Sequence, residues 1–110
     1  MALYTILQYR DVADRDPFKE WFDGFDPQAA AKVNVALTRL ANGNTSNVKG
    51  VASGVQEVRV DFGPGYRIYF GRDGRELVIL LGGDTKRRQH QDIDAALARW
   101  ADYKRRKKEA

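Results

Sequence analysis

Two arginines bracket a glycine-proline-glycine turn. Arg59 precedes Gly63-Pro64-Gly65, and Arg67 follows it. Val58, Val60 and Phe62 alternate with Glu57, Arg59 and Asp61, and Tyr66-Arg67-Ile68-Tyr69-Phe70 follows the turn. Period two reads as a half-buried strand on each side of a turn that no strand could contain. A three-residue loop pairs Phe62 with Tyr66, Asp61 with Arg67, Val60 with Ile68, Arg59 with Tyr69 and Val58 with Phe70. The apolar pairs then share one face, and Glu57, Arg59, Asp61, Arg67 and Tyr69 share the other. A two-residue turn at Asp73-Gly74 would set Tyr69 opposite Val78 and Arg67 opposite Leu80. Val78 and Leu80 would floor the arginine face, while Leu77, Ile79 and Leu81 would join the core.

Such a face could hold a phosphodiester. Arginine's planar fork matches phosphate oxygens in pairs, and a tyrosine ring can stack an unpaired base. Lys49 precedes the strand pair. Lys86-Arg87-Arg88-Gln89-His90 follows the apolar run Leu77–Leu81 and would sit at the edge of the same sheet. Together these cations could stabilise a pentacovalent phosphate. A plainer use stays open. Asp61 opposite Arg67 is an ordinary cross-strand ion pair, and Arg59 with Tyr69 can simply cover the sheet. His90 can be a proton carrier or a solvated helix-start residue. The run Lys104-Arg105-Arg106-Lys107-Lys108 can contact nucleic acid, or it can be a solvated, frayed helix end complementing the helix dipole.

The elements that position these residues are legible in outline. Leu3–Tyr9 is a short apolar, β-branched run, an expected opening strand. Asp16-Pro17 starts a helix with Phe18, Trp21, Phe22 and Phe25 on one stripe. Asp26-Pro27 starts a second, with Ala30, Val33, Leu37 and Leu40 inward and Gly43 as a left-handed cap. A short strand is expected near Asn47–Val51, and Gly82-Gly83-Asp84 is expected to end the apolar strand. A last helix runs from about Gln89 to Lys107. The order β-α-α-β-β-β-α, with consecutive antiparallel strands, predicts an α+β domain: one twisted, mainly antiparallel sheet with helices packed on it.

Composition bounds the chemistry. The 110 residues fit one domain, and 43% hydrophobic with 31% charged residues is ordinary for a globular chain. With no cysteine and one histidine, thiolate metal sites, iron–sulfur clusters, cysteine nucleophiles and two-histidine mechanisms are excluded. No apolar run is long enough to span a membrane, and the N-terminus lacks the pattern of a signal peptide, so the expected location is the cytoplasm. Residues 1–42 carry 5 basic and 6 acidic side chains, while residues 43–110 carry 14 and 9. The positive second half favours a polyanionic or acidic partner.

The segment Val55-Gln56-Glu57-Val58-Arg59-Val60-Asp61-Phe62-Gly63-Pro64-Gly65-Tyr66-Arg67-Ile68-Tyr69-Phe70 resembles the core of RelE/ParE-superfamily toxins, and most closely the phage-derived Gp49-like, HigB-like addiction-module killer proteins. Leu80-Leu81-Gly82-Gly83-Asp84-Thr85-Lys86-Arg87-Arg88-Gln89 is similar to their segment after the last strand. Asp92-Ile93, Ala96, Trp100 and Tyr103-Lys104 are similar to their last helix. The resemblance implies a RelE/ParE-like β-α-α-β-β-β fold in a single domain over residues 1–110. It also implies a type II toxin neutralised by a helix-turn-helix antitoxin, which would reach operator DNA only through that complex. RelE-like and HigB-like members cut mRNA on the ribosome without a metal or cofactor. ParE-like members poison DNA gyrase and lack the nuclease residues. Carried over by position, the catalytic candidates are Arg59, Arg67 and Lys86. RelE-like members can have two lysines on the first strand where this chain has Glu57 and Arg59, and in a cleavage step Glu57, or else His90, would take the 2′ proton. Lys49, Tyr69, Arg87, Arg88 and His90 are the substrate-binding candidates.

Overall fold

Two aspartates set the helices that cover one side of the sheet. The Asp16 carboxylate accepts the Lys19 backbone N–H at the start of α1 (Pro17–Phe22), and Asp26 accepts that of Ala29 at the start of α2 (Pro27–Ala41). Each satisfies a donor that a helix start leaves orphaned, and each is followed by a proline whose missing N–H costs nothing there. The structure is a computed structural model. It describes residues 3–85 and 89–109, with residues 89 and 90 by backbone alone.

The strands are β1 (Thr5–Gln8), β2 (Val48–Ala52), β3 (Val55–Val60), β4 (Tyr66–Asp73) and β5 (Leu77–Thr85), and α3 (Gln89–Glu109) closes the described chain. They form one sheet in the order β1-β5-β4-β3-β2, with β1 parallel to β5 and the remaining neighbours antiparallel. This is the expected α+β architecture, compatible with a RelE-like fold. No described helix is long and apolar enough to cross a membrane.

Both faces of the sheet are covered. Val58, Val60, Ile68, Phe70, Val78 and Leu80 pack against Phe18, Val33 and Leu40 of α1 and α2. On the other face Val55, Tyr69, Ile79 and Leu81 pack under Ala96 and Trp100 of α3. The Trp100 ring lies so close to Gly71 of β4 that a Cβ there would stand 2.5 Å from it, so only glycine lets the helix approach.

Two expected registers are corrected. Val60 pairs with Tyr66, Arg59 with Arg67, Val58 with Ile68 and Glu57 with Tyr69. The loop therefore spans residues 61–65, and Asp61 lies in it, exposed, rather than opposite Arg67. The slip is by two residues, so the faces are kept. In the second hairpin Asp73 pairs with Leu77 across a three-residue turn, and the register shifts again between Tyr69 and Phe70. This slip is odd, so the faces exchange. Val78 and Leu80 belong to the α1–α2 core, and Ile79 and Leu81 to the α3 side. Gly82 and Gly83 lie within β5, where the bulge absorbs an extra residue and the strand runs on to Thr85.

The basic end of α3 is also anchored rather than frayed. Tyr103 and Lys107 both hold Asp73 at the second hairpin. Tyr9 donates to Asp102, which also pairs with Arg105 and Arg106.

Candidate functional site

The registers lay out a small grid on the face that α3 covers. One row reads Arg59, Arg67, Asp84 across β3, β4 and β5. The next reads Lys49, Glu57, Tyr69, Gly82 from β2 to β5. Like charges directly opposite one another repel, so the Arg59–Arg67 pair needs anions nearby. Glu57 and Asp84 supply them for Arg67. Glu57 Oε2 stands 3.6 Å from Arg67 Nε. Asp84, directly opposite Arg67 on β5, also attracts it, and Asp84 Oδ2 accepts the Tyr69 hydroxyl at 2.8 Å.

This cluster is not an open concavity. Tyr69 is 1% exposed, Asp84 3%, Glu57 4% and Arg67 7%. Tyr69, expected as a stacking platform, therefore has no ring face open to a base, and burial followed by its bond to Asp84 raises its hydroxyl pKa. Glu57 is held inside the cluster, against Arg67. Arg59 and Lys49 are exposed. Of the two arginines, Arg59 is thus the one presented to solvent. Arg67 still reaches the wall of a cleft of about 440 Å³ that the chain from Arg59 through the Gly63-Pro64-Gly65 loop encloses. Lys86, Arg87 and Arg88, and the side chain of His90, lie outside the described residues.

Asp84 is the group the sequence did not single out. Burial pushes its pKa up to about 6, Tyr69 and Arg67 pull it down, and Asp92 of α3 pushes it up again. Asp84 Oδ1 has no donor among the described residues. A carboxyl that titrates near neutrality beside an arginine can carry protons. Its signal in the sequence, one aspartate after two glycines, reads as a strand end.

The sequence profile described as "Phage derived protein Gp49-like" matches residues 20–101, from α1 through most of α3. The chain belongs to the Gp49-like family of phage-derived proteins. This is a toxin-like family, and its match covers the whole grid. A relative in Haemophilus influenzae, an uncharacterized protein, is 44% identical over 69 residues, covering 63% of this chain and 70% of its own.

Proposed function

We propose that this Gp49-like chain is the toxin of a type II toxin–antitoxin module and acts as a ribosome-dependent mRNA endonuclease. The observation that carries the reading is Arg59 standing directly opposite Arg67 at the hairpin cleft. A phosphate in that cleft would take the donors of the exposed Arg59 and lie in the field of Arg67 in its wall. The Gp49-like membership and the resemblance to RelE-like and HigB-like proteins support the same class.

In this reading the substrate supplies its own nucleophile. The 2′-oxygen attacks the adjacent phosphorus, the bond from phosphorus to the 5′-oxygen breaks, and a 2′,3′-cyclic phosphate and a 5′-hydroxyl result. Arg59 and Arg67 neutralise the phosphoryl oxygens as charge builds. Glu57, buried beside Arg67, or His90 takes the 2′ proton. Lys86, or an arginine beside it, stabilises the leaving 5′-oxygen, which takes a proton from solvent. The ribosome would hold the mRNA in line, a positioning that the free protein need not provide. A helix-turn-helix antitoxin would neutralise the toxin by covering the cationic end of the sheet.

Induction in cells followed by primer extension on mRNA tests this reading. Cuts phased with codons are expected. Intact mRNA with a DNA-damage response would instead make the chain a ParE-like gyrase poison.

A further inference from the structure

Several described cations of α1, its approach and the end of α3 are ion-paired: Arg10 with Asp14, Arg15 with Asp11, Lys19 with Asp23, Arg105 and Arg106 with Asp102, and Lys107 with Asp73. Arg72, Arg75, Arg99, Lys104 and Lys108 lie apart from the described carboxylates but are scattered over the molecule, whereas the unpaired cations around the end of β3 are gathered together. Among the described residues, Lys32, Arg39, Lys49 and Arg59 have no carboxylate within 4.0 Å. No ion pair among the described residues neutralises Lys32, Arg39 and Arg59 where the clefts lie.

Lys32 and Arg39 line a second cleft, of about 230 Å³, between α2 and the sheet, with Asn44, Ser46 and Asn47 on its other side. The two residues are two helical turns apart, about 10 Å along α2. This cleft and the hairpin cleft share Arg59 and the two residues after it. The two clefts therefore adjoin at the end of β3. Lys32 Nζ stands 5.7 Å from the centre of the Phe62 ring, at the junction. Asp61 is the one carboxylate in the lining among the described residues, and it is exposed to water.

We propose that the second cleft is a phosphodiester subsite. One single-stranded RNA segment runs from Arg67 past Arg59 to Lys32 and Arg39, with the reacting phosphate at the first pair and flanking phosphates at the second. This rests on the reading of the hairpin cleft as an RNA site and extends it. Cations strung along adjoining clefts, with Val35 the exposed large apolar side chain in the second, suit a sugar–phosphate backbone better than an amphipathic protein segment. Affinity from such contacts falls with salt, by roughly 0.7 in log–log slope per phosphate on a single strand.

The test uses the full chain and a fluorescent 12-nucleotide RNA that is 2′-O-methylated throughout. That probe cannot be cut, so binding is read independently of cleavage. Lys32→Ala/Arg39→Ala should weaken binding about tenfold or more at low salt and lower the salt slope by roughly 1.4. Both positions are exposed on a helix, where alanine is well accepted. The control is Arg75→Ala/Lys108→Ala, which removes equal charge. Arg75 lies at the far end of β4 from the hairpin loop, about 25 Å away. Equal effects of the two double variants, or no binding by the wild type, would overturn the subsite. So would an unchanged RNA affinity with lost binding of a polyglutamate peptide, which would assign the second cleft to an acidic protein segment. Loss of RNA binding in Lys32→Ala/Arg39→Ala with no mRNA cutting in cells would keep the subsite and overturn the nuclease reading alone.

Discussion

Arg59 and Arg67 are direct partners across β3 and β4, yet Arg67 is buried beside Glu57 while Arg59 stands exposed with no carboxylate within 4.0 Å among the described residues. Two guanidinium groups facing each other thus have different tasks. Arg67 is part of the packing under α3 as well as the wall of the hairpin cleft. Arg59 is available to a ligand without cost to the fold.

That difference predicts opposite stability effects. Arg67→Ala strands the Glu57 carboxylate inside the protein and should cost about 3–5 kcal/mol. Arg59→Ala should change stability by less than about 0.5 kcal/mol. Urea denaturation of both variants checks this. Equal midpoints would contradict the burial of the Arg67–Glu57 pair. It follows that loss of toxicity in Arg67→Ala alone says little about chemistry.

Asp84 predicts a pH dependence. Its folded pKa is raised to about 6 from an ordinary 3.8, so between those values the folded state holds more protons than the unfolded one. Its contribution is most favourable below about pH 4 and is lost as pH rises through 6. Asp84→Asn keeps an acceptor for Tyr69 and carries no charge. It should flatten the stability profile between pH 4 and 7 and raise stability at pH 7.5 by roughly 1–3 kcal/mol. Denaturation midpoints of the two proteins across that range check the sign. A wild-type profile that rises with pH in parallel with the variant would contradict it.

The contact between Gly71 and Trp100 predicts a packing limit. Gly71→Ala forces the indole ring away and loosens α3, at a cost of about 1–3 kcal/mol. Trp100→Leu in the same background should recover part of the loss, because a smaller side chain leaves room for the new methyl. Thermal unfolding of the single and double variants reads this. Additive losses would mean that the ring and the strand do not touch.

The sequence made one face of the first hairpin legible and misplaced the second. Alternation at Val58, Val60 and Phe62 fixes which side chains share a face, and a loop two residues longer than expected leaves that parity alone. Leu77–Leu81 carries no alternation, because both faces of β5 are covered. Its orientation then depends on turn length and on the bulge beside Tyr69, and neither has a clear local signature. The capping aspartates were readable because a cap is a local bond. The depth of Arg67 and Tyr69 was not, since it depends on where α3 lies. Asp84, Lys32 and Arg39 acquire their meaning from neighbours distant in sequence.

The most direct measurement is primer extension on cellular mRNA after induction of the wild type and of Arg59→Ala, with folding of the variant verified by its denaturation midpoint. Codon-phased cuts by the wild type and their disappearance in folded Arg59→Ala are expected. Cuts that persist undiminished without Arg59, or a growth-arresting wild type that leaves mRNA whole, would contradict RNA cleavage at the paired arginines.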